Sequence, residues 1–126
     1  MTRAATMLAS IAAALATACG RPSLAEREAM ALTGGEPRRG RTLARSYGCG
    51  SCHRIPGVAG ATGTVGPPLE SVAVRSYLAG RLPNTPANLI RWVQHPHAID
   101  PHTAMPELGM TDADARDVAA YLETLR

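Results

Sequence analysis

Residues 47–53 read "YGCGSCH". Cys49 and Cys52 stand three apart, and His53 follows at once. That spacing suits three chemistries: half of a zinc site, a dithiol redox pair, or the covalent attachment of a haem. A structural zinc ion takes four ligands. Cys49, Cys52 and His53 supply at most three, and the neighbours Cys52 and His53 fit one tetrahedron poorly. A redox dithiol usually sits in a βαβ pattern, and no strand alternation surrounds this one. Haem attachment uses every residue of the motif. Two Cys at i and i+3 face one way and form two thioethers, and the next His is carried to the iron. C-x-x-C-H thus favours haem, with the dithiol, a metal site and a chance match left as alternatives.

Composition points the same way. The 126 residues suffice for one domain, yet there is no Phe, one Trp and three Tyr. Aromatic side chains normally supply the largest apolar contacts of a core. A buried flat cofactor fills such a gap, although an Ala-, Leu- and Val-rich helical domain also packs without Phe. Net charge is +3, and every basic side chain is Arg. The arginines are spread along the chain and balanced by ten acids, without the clustered basic patch that nucleic-acid binding requires.

The N-terminus reads "MTRAATMLASIAAALATACG". Arg3 precedes 17 uncharged residues, Ala4–Gly20, short of the roughly 20 apolar residues of a comfortable membrane span. A basic start, an apolar run and small residues before a cut are the layout of an export signal. Ala16-Thr17-Ala18 offers the cleavage pattern and Cys19 follows. A Cys at the first mature position resembles the lipobox of bacterial lipoproteins, with Ala16 where Leu is usual. The expectation is a signal over residues 1–18 and a lipidated Cys19. Ordinary cleavage and an uncleaved anchor helix are the alternatives. In an exported chain free thiols tend to oxidise, and setting Cys19 aside leaves one pair.

Residues 19–35 read as a linker or tether, with a short helix around Ala25–Leu32, and a globular domain is expected over 36–126. Glu36–Tyr47 predicts a helix: Pro37 lies in its first turn, and Gly40, Leu43, Ala44 and Tyr47 fall on one face. Residues 55–69, rich in Gly and Pro, read as loop. "SVAVRSYLAG" (71–80) reads as a short helix closed by Gly80. Thr85 and Pro86 open a helix that Pro96 stops. Residues 96–110 are again loop. Thr111 opens the last helix as a capping box with Asp114 in place of Glu, and Ala115, Val118, Ala119, Leu122 and Leu125 form its inner face.

A second iron ligand has five downstream candidates: His95, His97, His102, Met105 and Met110. Met105, in "TAMPEL", sits in a Pro-bounded loop from which it can turn inward, and it is the preferred one. Met is also a common core filler. Met110, beside the Thr111 cap, suits that role better. The three His stand in a polar loop, where solvation is the ordinary state.

Taken in order, "YGCGSCH", "GPPL", "NLIRWVQHP" and "TAMPELGMTDADARDVAAYL" resemble the class I mono-haem cytochrome c family over residues 36–126. The chain is similar to bacterial haem c domains associated with terminal oxidases, including those fused to oxidase subunit II. The resemblance implies an all-α fold of three to five short helices around one covalent haem c, its first and last helices crossing at Gly40 and Tyr121. It implies thioethers at Cys49 and Cys52, and His53 and Met105 as axial ligands of the haem iron. Gly66, Pro67 and Leu69 match the family's G-P-x-L, so the Pro67 carbonyl would receive the His53 ring N–H. Trp92 and Arg75 match residues that approach the haem propionates.

His/Met ligation favours ferrous iron and raises the reduction potential. With both axial positions filled, electron transfer is favoured over catalysis on bound substrate. The resulting expectation is a non-enzymatic electron carrier on the periplasmic side, tethered to the cytoplasmic membrane. Its partners would be redox proteins such as a terminal oxidase, a respiratory complex or a dehydrogenase. A fixed haem subunit of a membrane complex is the second reading. A sensor or peroxidase with a displaceable Met105 is the third.

Overall fold

The computed structural model describes residues 20–126; the leader and Cys19 lie outside them. In chain order these residues form α1 (Leu24–Thr33), α2 (Pro37–Ser46), a 3₁₀ turn (Cys49–Ser51) and a second one (Val72–Val74). A two-stranded antiparallel hairpin follows, β1 (Tyr77–Leu78) and β2 (Leu82–Pro83), then α3 (Pro86–Gln94), the short α4 (Pro96–Ile99) and α5 (Asp112–Glu123). The fold is the expected all-α one with a minimal hairpin.

The last helix organises the others. Thr111 caps α5 by accepting from the Asp114 N–H at 3.1 Å. Only this half of the anticipated capping box forms, because the Asp114 carboxylate faces another helix. It accepts from the Tyr47 hydroxyl at 2.8 Å and pairs with Arg39. Ala115, Val118, Ala119 and Leu122 are buried as their 3.6-residue spacing requires. With Leu78, Leu89, Val93 and Met110 they make the main core.

α2 crosses α5 at close range. A Cβ on Gly40 would overlap the Asp117 carbonyl and stand 3.0 Å from the Tyr121 Cβ. No other residue type fits there, and the crossing falls at the residues that the resemblance implied. Asp117, buried beneath the crossing, pairs with Arg39 and accepts the Glu36 N–H at 2.6 Å. Tyr121 donates its hydroxyl to the Pro56 carbonyl and so ties α5 to the loop beyond the Cys pair.

Two expectations need correction. Residues 71–80 are not a helix: after the turn at Val72–Val74 the chain becomes extended and forms the hairpin, with Leu78 opposite Leu82. Ala79 and Gly80 at its tip both take positive φ, 50° and 65°, and a non-Gly residue gives no signal for that. Burial of Leu78 and the Asn84 amide decide the outcome; Asn84 Nδ2 donates to the Val72 and Arg75 carbonyls at 2.8 and 2.9 Å. The short helix expected around Ala25–Leu32 is present as α1, and it is docked rather than free. α1 has a complete Ser23/Glu26 capping box and a left-handed Gly34 cap, and it buries Ala29 and Thr33 against the domain. α4 is a further short helix inside the expected 96–110 loop.

Candidate functional site

Helix α2 delivers the Cys pair. It ends at Ser46, Tyr47 caps it, and Gly48 reverses the chain at a φ of 74°. The next turn, Cys49–Ser51, returns the Cys52 and His53 N–H groups to the Cys49 carbonyl at 3.2 and 3.0 Å. Both thiols are unpaired and half-buried. Burial pushes the Cys49 thiol above its ordinary pKa, so it is held as the neutral thiol.

Cys49, Cys52 and His53 all line one cavity of about 320 Å³, in the range of roughly 300–1,000 Å³ typical of cofactor sites. Met105 lines it too, as do Trp92, Arg75, Pro67 and Leu69. Arg75 is the one Arg, Asp or Glu side chain among the described residues of a wall built mainly of Val, Leu, Ala and Pro. Met110 also reaches the wall but is buried in the core. His95, His97 and His102 do not reach it; they are exposed, as their loop suggested.

The segment 66–70 runs beside 52–54 and orients the His53 ring. Gly66 N–H donates to the Cys52 carbonyl at 2.8 Å, and Leu69 N–H to the Arg54 carbonyl at 2.8 Å. His53 Nδ1 lies 2.7 Å from the Pro67 carbonyl. A carbonyl only accepts, so the proton sits on Nδ1 and Nε2 keeps a lone pair for a metal. Gly66 is required at this point, since a Cβ would overlap the ring and lie 2.7 Å from Nδ1. Pro68, with no N–H of its own, gives its carbonyl to Arg75, which also reaches the Glu70 carbonyl at 3.2 Å. Glu70 pairs with Arg54. The Arg54–Glu70 pair and the Arg75 clamp had no local sequence signal, because each joins residues several positions apart.

The Met105 loop is braced at both ends. His97 Nε2 donates to the Thr103 carbonyl at 3.3 Å, and the Thr103 hydroxyl accepts the Met105 N–H at 3.2 Å. Glu107 accepts the His97 N–H at 3.2 Å and lies 3.5 Å from His95 Nδ1. Beyond it, Gln94 donates to the Met110 carbonyl at 3.3 Å and to Asp112 at 2.6 Å. The histidines thus hold the loop that carries Met105.

These residues fit a covalent haem. Two unpaired thiols, an imidazole with a committed tautomer and a thioether share one apolar chamber, and a glycine leaves room for the ring. A closed metal site is not supported: among the described residues no group of three or more His, Cys, Asp or Glu is placed to hold a metal ion. A family model described as Cytochrome c matches residues 37–126, from the first residue of α2 to the end of the chain. No curated protein is similar enough to the chain to be matched.

Proposed function

The chain belongs to the cytochrome c family, whose members bind haem c covalently and transfer electrons, and on that premise we propose a His/Met-ligated electron carrier acting on the periplasmic side of the cytoplasmic membrane. The observation that carries the ligand assignment is the convergence of Cys49, Cys52, His53 and Met105 on one cavity, with His53 Nδ1 committed to Pro67.

Bound haem supplies a one-electron couple at iron. The chain's residues do the rest. Cys49 and Cys52 hold the group so that it is not lost after export. The Pro67 carbonyl fixes the orientation and tautomer of the His53 ring. Met105 would offer a soft neutral thioether, which favours the reduced state. The Val- and Leu-lined wall excludes water, and Arg75 and Trp92 are assigned to the propionate side. Exposed Val65 and Tyr77 belong to the wall, so the cavity opens to the surface where a partner can approach. Docking there would be brief, as redox encounters use small interfaces.

The leader over residues 1–18 and Cys19 support export and lipid attachment. No helix among the described residues is long and apolar enough to cross a membrane. The proposed partners are a terminal oxidase, a respiratory complex or a dehydrogenase. The docked α1 favours the second reading, a fixed haem subunit, more than a plain linker would. The braced Met105 loop argues against a displaceable ligand, and so against a sensor or peroxidase.

The test is an absorption spectrum of protein matured in the periplasm with the haem-attachment machinery. A covalent c-type spectrum with the weak red band of Met-ligated ferric iron is expected, and that band should vanish in Met105→Ala. Persistence of the band in the variant would remove Met105 from the iron.

A further inference from the structure

α1 lies outside the matched region, yet it is docked on the domain at several points. At 3.6 residues per turn, Val118 and Leu122 of α5 share the side that lines the cavity. Arg116 and Ala120 fall on the opposite side, and α1 packs there. Arg116 donates to the Thr33 carbonyl at 3.1 Å, and Gly35 rests against the Arg116 carbonyl. Arg126 pairs with Glu28 at 2.8 Å, and Arg38 with Glu26 at 3.0 Å. Arg38 also reaches the Gly20 and Arg21 carbonyls at 3.4 and 3.3 Å, so the chain is held from the first described residue.

This changes the reach of an N-terminal anchor. A free linker from Cys19 to Glu36 would extend about 58 Å at roughly 3.4 Å per residue, whereas Cys19 to Ser23 spans about 14 Å. The outer face of α1 suits what would then lie beside it. Leu24 is 78% exposed and Leu32 48%. Glu26 and Glu28 are neutralised by their arginines, while exposed Arg21 and Arg27 have no carboxylate partner among the described residues. Exposed leucines beside unneutralised arginines match an anionic bilayer surface.

Building on the anchoring proposed above, we infer that α1 is a membrane-bearing brace. Its outer face, Leu24 and Leu32 with Arg21 and Arg27, rests on an anionic bilayer. Its packing on the rear of α5 turns the cavity mouth away from that bilayer. Redox partners therefore reach the cavity from the aqueous side and not along the membrane plane.

The experiment uses full-length protein matured with its own leader and reconstituted into phosphatidylethanolamine–phosphatidylglycerol bilayers. Co-sedimentation reads attachment, and polarised absorption of the haem on oriented bilayers reads orientation. Wild type should sediment and show dichroism. Ala29→Asp, which frees α1 from α5, should sediment with an unchanged spectrum and lose at least half of the dichroism. Leu24→Glu with Leu32→Glu, two surface changes that spare the fold, should lower it as well. Sedimenting wild type without dichroism would overturn the brace and leave the anchor standing, as would dichroism unchanged in both variants. Wild type that fails to sediment would overturn the anchoring and the brace together.

Discussion

Gly66 has no side chain because the His53 ring occupies that space. The glycine, the Pro67 carbonyl and the imidazole form one unit: the first lets the 66–70 segment come close, and the second fixes the ring. Overpacking such a contact costs about 1–3 kcal/mol, and each kcal/mol lowers the melting temperature of a small domain by roughly 4–8 °C. Gly66→Ala should therefore melt at least 4 °C below wild type and show an altered reduction potential, because the ring leaves Pro67. Thermal melting and redox titration of the holoprotein check both. A variant identical in potential would mean that the Pro67 contact does not tune the ligand. His53 and the Cys pair were legible at this scale because their chemistry is local. Arg54, Glu70 and the clamp by Arg75 were not, since their meaning depends on a loop folding back onto the motif.

Helices α2, α3 and α5 were legible for a similar reason: each begins with its own signal, Pro37, Thr85 with Pro86, and Thr111. The hairpin was hidden by Ala79, whose positive φ no residue preference announces. The docking of α1 was hidden because its partners, Arg116 and Arg126, lie about ninety residues away. The lock between α2 and α5 is of the same long-range kind. The Tyr47 hydroxyl, then Arg39, hold the Asp114 carboxyl below the usual carboxylate range. A depressed folded pKa means stability that is complete above the unfolded value and lost as pH falls through the folded one. Asp114→Asn should thus be less stable than wild type at neutral pH. The gap should close on acidification below about pH 4, the ordinary carboxylate range. Denaturant midpoints at a series of pH values measure it, and a gap independent of pH would assign the loss to packing.

At the scale of the whole molecule, the core is built around a chamber of about 320 Å³. At roughly 24 cal/mol per Å³ such a void would cost up to about 8 kcal/mol, an upper bound because the chamber opens to solvent. That is comparable with the roughly 5–15 kcal/mol of an entire domain. Cys49→Ala with Cys52→Ala, which removes both attachment points, should yield little folded protein, as judged by circular dichroism and protease resistance. A compact apo-domain would contradict the view that the cofactor completes the core. The shortage of aromatic residues pointed to such a chamber, whereas its closure by the hairpin and the Met105 loop had no local signal in the sequence. Trp92 is the chain's one tryptophan, and it forms part of the chamber wall. Its light emission is consequently an internal gauge of maturation. Energy passes from the indole to a bound porphyrin, so the mature protein should be nearly dark under ultraviolet excitation, brighten when denaturant draws the wall apart, and never have been dim in chains that missed attachment.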